Sequence, residues 1–134
     1  MQDEASKVLE TFNQYGEVFS MLKPRALLPF YHYPSMLISY DKSVVIKNVL
    51  EAWLVFTKLI ADLKKQNFAR SEIHEENTKV KFLSDNLATI PGTATRYRKD
   101  GTILESFDFT YTMRKVSDSW KIIVGIIHAL GSNS

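Results

Sequence analysis

Three stretches decide the fold: LATIPGTATRYR (87–98), TILESFDFTYTMRKV (102–116) and WKIIVGIIHA (120–129). Each is long and rich in β-branched and aromatic residues, and each is bounded by turn formers. Ser84-Asp85-Asn86 precedes the first, Lys99-Asp100-Gly101 separates the first two, and Ser117-Asp118-Ser119 separates the last two. Turns this short join antiparallel strands, because parallel neighbours need a crossover of a dozen residues or more. The reading is therefore an antiparallel meander, with an upstream run from Ser71 to Leu83 as a fourth strand. Pro91-Gly92 interrupts the first long strand and predicts a bulge or a sharp bend there.

Working outward, residues 1–70 read as the helical cover of one sheet face. Between Asp3 and Leu22 apolar side chains recur at Ala5, Leu9, Phe12, Phe19 and Leu22, with Val8, Tyr15 and Val18 beside them. That spacing predicts an amphipathic helix. Pro24 opens a short second helix reaching about Phe30. Pro29 and Pro34 stop further helix and leave Tyr31-His32-Tyr33-Pro34 irregular. Ser35–Tyr40 and Ser43–Ile46 read as a strand, the turn Asp41-Lys42, and a short return strand. Asn48 followed by Glu51 marks the N-terminus of a third helix. Its predicted buried stripe is Val49, Trp53, Phe56, Ile60 and Leu63, and Lys64 and Lys65 complement its C-terminal dipole. The class is α+β, in a single domain spanning residues 1–134.

Composition narrows the function classes. Lys and Arg number 17 against 15 Asp and Glu, a net charge of +2. These charges are interspersed, and the densest basic run, Arg96-Tyr97-Arg98-Lys99, sits at a strand end. No basic stripe or recognisable module points to nucleic acid. No cysteine is present, which removes disulfides, thiolate metal sites and a cysteine nucleophile. No apolar run has the length of a membrane span, so the expected setting is cytoplasmic. Neither a phosphate loop nor a nucleophile elbow occurs, and His74-Glu75-Glu76 lacks metal-ligand spacing, so no metal and no cofactor are expected.

The last strand carries apolar residues on both sides, Trp120, Ile122, Val124 and Ile126 on one and Ile123 and Ile127 on the other. Helices cover one face; a second copy of the chain is the expected cover of the other, giving a homodimer through the outer sheet face.

The whole arrangement resembles the NTF2-like superfamily, and within it small bacterial SnoaL-like and related uncharacterised proteins. The matching features span nearly the whole chain: His32-Tyr33-Pro34 before the first strand, Asp85-Asn86 leading into Leu87-Ala88, Gly92, Asp100-Gly101, Trp120 opening the last strand, and His128 near its end. The resemblance implies a cystatin-like cone, with about three N-terminal helices on a curved, mostly antiparallel sheet enclosing a pocket, and commonly a dimer. It leaves activity open, because the superfamily holds isomerases, dehydratases and cyclases as well as binding and assembly domains.

Candidate residues follow from side-chain chemistry and strand pairing. With a three-residue loop at 117–119, Val116 faces Trp120 and Asp108 lies opposite His128, a carboxylate–imidazole pair suited to general acid–base work. A two- or four-residue loop shifts the register by one, sets Phe107 against His128, and gathers Phe107, Phe109, Tyr111 and Met113 on one face. His32, between two tyrosines at the mouth of a cone, is a second acid–base candidate. Arg96 and Tyr111, on adjacent strands, offer a cation and a phenol to a bound anion or carbonyl. Tyr15, Tyr40 and Trp53 are expected to line the concave side with amphipathic rings. The expectation is a protein that binds a small, largely apolar molecule. The alternatives are an isomerase, dehydratase or cyclase with a histidine acid–base, and an assembly domain with a filled cone.

Overall fold

The computed structural model describes residues 3–130. Helix α1 (Glu4–Phe19) is capped by Asp3, whose side chain accepts from the Ser6 amide, and it buries Val8, Phe12, Tyr15 and Phe19. Pro24 sits in the first turn of α2 (Pro24–Leu27), and the chain continues through a 3₁₀ turn, Leu28–Phe30. Helix α3 (Val49–Lys65) begins at Asn48, whose Oδ1 accepts from the Glu51 amide at 2.9 Å. The Glu51 carboxylate in turn accepts from the Lys47 amide at 2.9 Å, one residue before the cap. The expected α3 stripe is out of phase at its start. Ala52, Phe56, Ile60 and Leu63 are buried, whereas Val49 and Trp53 are exposed. Ala52 supplies the contact surface that Trp53 was expected to give, turned by about 100° around the helix axis.

Seven strands form one sheet: β1 (Tyr31–Ile38), β2 (Ser43–Ile46), β3 (Phe68–Ile73), β4 (Lys81–Ser84), β5 (Leu87–Arg98), β6 (Ile103–Val116) and β7 (Ser119–Leu130). The order is β2-β1-β7-β6-β5-β3, with β4 also paired to β5. The pairing of β1 with β7 is parallel; the other pairings are antiparallel. The segment 31–34, expected to be irregular, lies within β1, and the irregularity survives as a register shift between Tyr31 and Met36. The single strand expected over 71–83 is two strands separated by a 3₁₀ turn, Glu75–Asn77. Both pair with β5, β4 at Leu87–Thr89 and β3 at Ala94–Arg98.

That split accounts for Pro91. The β5–β6 ladder runs without a shift through Pro91↔Thr110 and Gly92↔Phe109, so the expected bulge is absent there. Pro91 instead occupies the stretch of β5 that neither β4 nor β3 reaches, where its missing N–H leaves no ladder bond unmade. The helices lie on the sheet face that carries Ala88, Ile90 and Ala94 of β5 and Phe107, Phe109 and Met113 of β6, all buried. On the opposite face hydroxyls pair across strands: Thr93 donates to Asp108 at 2.9 Å, and Thr95 bonds Ser106 at 3.0 Å.

Candidate functional site

The interior between helices and sheet divides in two. Toward α1 and β5–β6 it is filled by rings. Phe12 packs on Phe109 at 5.3 Å and on Tyr111 at 5.2 Å, and Phe109 lies edge-on to Tyr111 at 5.5 Å. Only about 50 Å³ stays open there, beside Gly16, Ile73, Ala94 and Phe107. Toward α3 and β1–β7 a cleft of about 330 Å³ opens, with Leu37, Val55, Leu59 and Ile127 on its walls. Tyr15, Phe19, Arg96 and Tyr111 border both spaces.

Gly125 makes room for this junction. A Cβ there would stand 2.8 Å from Tyr111 Cε2 and 3.1 Å from Leu37 Cδ2, so only glycine lets both side chains approach β7 this closely. The tyrosines are linked: the Tyr15 and Tyr31 hydroxyls share a hydrogen bond of 2.6 Å. Burial pushes the Tyr15 and Tyr31 phenols well above their ordinary range, and burial also raises Tyr111, so all three keep their protons at neutral pH.

Arg96 enters this face through strand alternation with Ala94. Its side chain is 13% exposed, and Nη1 bonds Glu105 Oε2 at 2.7 Å. The guanidinium carbon lies 4.7 Å from the Phe107 ring centroid and 5.5 Å from that of Phe19. Nε is buried with no hydrogen-bond partner. The charged residues on the cleft lining are Lys42, Lys58 and Arg96 against Asp62.

Of the residues singled out from sequence, Tyr15, Arg96 and Tyr111 meet at the junction. The rest do not. Tyr40 is 73% exposed beyond the end of β1, and Trp53 is 37% exposed on the outer side of α3. His32 bonds its Nδ1 to the Pro34 carbonyl at 2.9 Å and is absent from the cleft lining. Asp108 and His128 are not paired. The 117–118 turn has two residues, both with positive φ, and joins Val116 to Ser119. Two register shifts follow, between Thr112 and Met113 and between Asp108 and Phe109, and they bring Asp108 opposite Ala129. Asp108 accepts from Thr93, and the exposed His128 contacts Thr110 Oγ1 through Nε2 at 3.0 Å.

The same shifts alter the reading of the last strand. Trp120 and Ile122 are buried, and beyond the first shift Gly125 and Ile127 take the inward positions. Much of the two-sided apolar pattern is one inward face carried across a bulge.

Sequence reasoning missed Val55, Leu59 and Asp62, which line the cleft from α3. Their spacing of four and three residues is helical, and each directly precedes a member of the buried set Phe56, Ile60 and Leu63. A stripe drawn one residue wider would have included them.

Comparison with known proteins gives the following. A family model described as NTF2-like protein (DUF6841) matches residues 3–130. An NTF2-like protein of unknown function from Shewanella oneidensis MR-1 superposes with a TM-score of 0.71 at 20% identity, covering 92% of this chain and 97% of that one. An NTF2-like protein with a cystatin-like fold from Novosphingobium aromaticivorans gives 0.75 at 15% identity, over 96% and 83%. A ketosteroid isomerase-like protein from Erwinia carotovora atroseptica SCRI1043 gives 0.71 at 15% identity, over 98% and 100%. At these identities the likeness carries the fold. No curated protein matches the chain.

Proposed function

The chain belongs to the NTF2-like family DUF6841, and on that premise we propose that it binds a small, largely apolar molecule in the cleft between α3 and the β1–β7 side of the sheet. One observation carries the reading: the interior is packed with rings at one end and left open at the other. The open space, about 330 Å³, falls at the lower end of the range of roughly 300–1,000 Å³ usual for small-molecule sites. Its lining is largely apolar, with buried or half-buried polar groups from Tyr15, Tyr31, Arg96 and Tyr111 and exposed charges from Lys42, Lys58 and Asp62, a division between affinity and orientation usual for such sites.

The test is a thermal-shift screen of small apolar compounds against the native chain and against Leu59→Trp, which fills the cleft. Compounds that raise the native melting temperature and leave the variant unchanged support the reading. Equal shifts in both, or none in either, overturn it.

The ketosteroid isomerase-like neighbour invites an acid–base enzyme as the second reading. What favours it here is Asp62, the one carboxylate on the lining, rather than the histidines. If proton transfer is the function, Asp62→Asn abolishes turnover, while His32→Ala and His128→Ala leave it intact.

We also propose a homodimer through the outer sheet face. The cross-strand neighbours Met36 and Val124, with Ile126 two residues on, are half-buried apolar side chains on strands β1 and β7. Light scattering after size-exclusion should give twice the chain mass at micromolar concentration; a monomer mass removes the proposal.

A further inference from the structure

Arg96 is incompletely satisfied, and the pattern of what is missing is specific. Among the described residues its guanidinium has one hydrogen-bond partner, Glu105, reached through Nη1. Nε is buried and bare, and among the described residues Nη2 makes no hydrogen bond. Nε and Nη2 form one edge of the planar fork, the edge that takes the two oxygens of a carboxylate side by side. Buried donors in folded chains are nearly always paired, so a bare one on a residue that borders the cleft marks a place for an acceptor brought from outside. The rings of Phe107 and Phe19 flank the guanidinium and hold its plane.

We propose, building on the cleft-binding reading, that the ligand is an apolar monocarboxylate whose carboxylate sits on the Nε–Nη2 edge of Arg96 and whose hydrocarbon body lies against Leu37, Val55, Leu59 and Ile127.

Two further observations favour an anion over a neutral acceptor. With Arg96 set against its partner Glu105, Lys42 and Lys58 still outnumber Asp62 on the lining, a positive balance that attracts negative charge. The Tyr15 hydroxyl bonds Tyr31 and also engages Tyr111, so three phenols held protonated by burial share two internal bonds and leave one proton to donate. A carboxylate suits the site better than a phosphate or sulfate, whose additional oxygens would need further donors beside a guanidinium packed on Phe19 and Phe107.

The experiment is calorimetric titration with octanoate and with 1-octanol, which share a chain and differ in the charged end. The native protein is expected to bind octanoate at least tenfold more tightly than octanol. Arg96→Gln should bring the two to parity. Because Arg96→Gln strands Glu105 at a cost in stability, Glu105→Gln is the companion variant. It keeps Arg96 and the hydrogen bond but removes the competing charge, so octanoate should tighten severalfold while octanol is unchanged. Equal affinities for octanoate and octanol in the native protein, or a preference for octanoate that Glu105→Gln does not strengthen, overturn the anchor and leave the cleft reading standing. Binding of neither compound overturns both.

Discussion

The two long helices meet the same sheet in different ways. Helix α1 is tied to it by polar contacts along its length: Glu4 to Lys115 and Trp120, Tyr15 to Tyr31, and the Ser20 hydroxyl just past its end to the Ser71 amide. Beneath it the interior is solid with rings. Helix α3 has side-chain hydrogen bonds only to its own or neighbouring residues, such as Thr57 to Trp53, and among the described residues none reaches the sheet. Apolar packing by Ala52, Phe56, Ile60 and Leu63 holds it, and beside those residues lies the cleft. One half of the fold is a scaffold. The other is a wall held by apolar packing, which we expect to adjust to what it encloses.

The sharpest test of that contrast is a pair of truncations. Phe109→Ala removes a ring that is 2% exposed and contacts Phe12, Phe107 and Tyr111. It should cost about 3–5 kcal/mol in denaturant unfolding, from lost burial and a cavity that cannot collapse. Leu59→Ala, on the cleft, removes atoms that already border open space and should cost about 1 kcal/mol. Equal costs would mean that the cleft side is as tightly packed as the ring side.

The division was only partly legible in the sequence. The meander could be read because its turns require particular backbones: Gly101 has φ 90°, and Ser117 and Asp118 both have positive φ. Helix spacing gave α1 and its aromatic face directly. The β6–β7 bulges were hidden, because Ile123-Val124 and Ile127-His128 carry no glycine or proline to announce them, and each moves every later side chain to the other face. The Asp108–His128 pairing was lost to the second of those shifts, which sets Asp108 opposite Ala129. Arg96 and Tyr111 keep the facing that alternation along β5 and β6 gives them, because the extra residues of the β6–β7 shifts lie on β7. Whether a ring fills or lines an interior depends on distances between elements, and a single chain's periodicity does not contain them.

Two glycines sharpen the contrast at smaller amplitude. A Cβ on Gly92 would lie 2.6 Å from Phe109 Cζ, in the filled half. That ring is held by its neighbours, so Gly92→Ala should destabilise by about 1–3 kcal/mol through overpacking. A Cβ on Gly125 would meet Tyr111 and Leu37, both of which border the cleft. Gly125→Ala should cost less than about 1 kcal/mol in stability, and weaken ligand binding instead. If Gly92→Ala is the milder of the two, the ring-packed half has slack that its geometry does not show.

Hydrogen exchange probes the helices directly. Amides of the second and third turns of α3 should exchange faster than those at matching depth in α1, because opening α3 breaks fewer tertiary contacts. A ligand in the cleft should slow α3 and leave α1 nearly unchanged. Uniform protection of the two helices before ligand is added would remove the idea of a compliant wall.

Acid separates the halves most gently. Hydrogen bonds from Lys115 and then Trp120 hold the Glu4 carboxyl at about 2, below the usual carboxylate range. A carboxylate with a folded pKa below its unfolded value of roughly 4.3 adds stability that is fully present above that value. The contribution shrinks as pH falls from about 4.5 and is gone once pH has passed through about 2. Asp3, held down by the Ser6 amide, and Asp100, held down by Thr102, act in the same direction, so the acid limb of the native protein is a composite. Comparison with Glu4→Gln isolates one part of it. The stability gap between native protein and variant should be constant from pH 5 to 7 and close steadily below pH 4.5. Because Glu4 anchors the start of α1, the exchange rates that rise with acid should be those of α1's first turns. A gap that stays constant to pH 2.5 would show that Lys115 and Trp120 do not hold this carboxylate, and that α1 is fixed to the sheet without it.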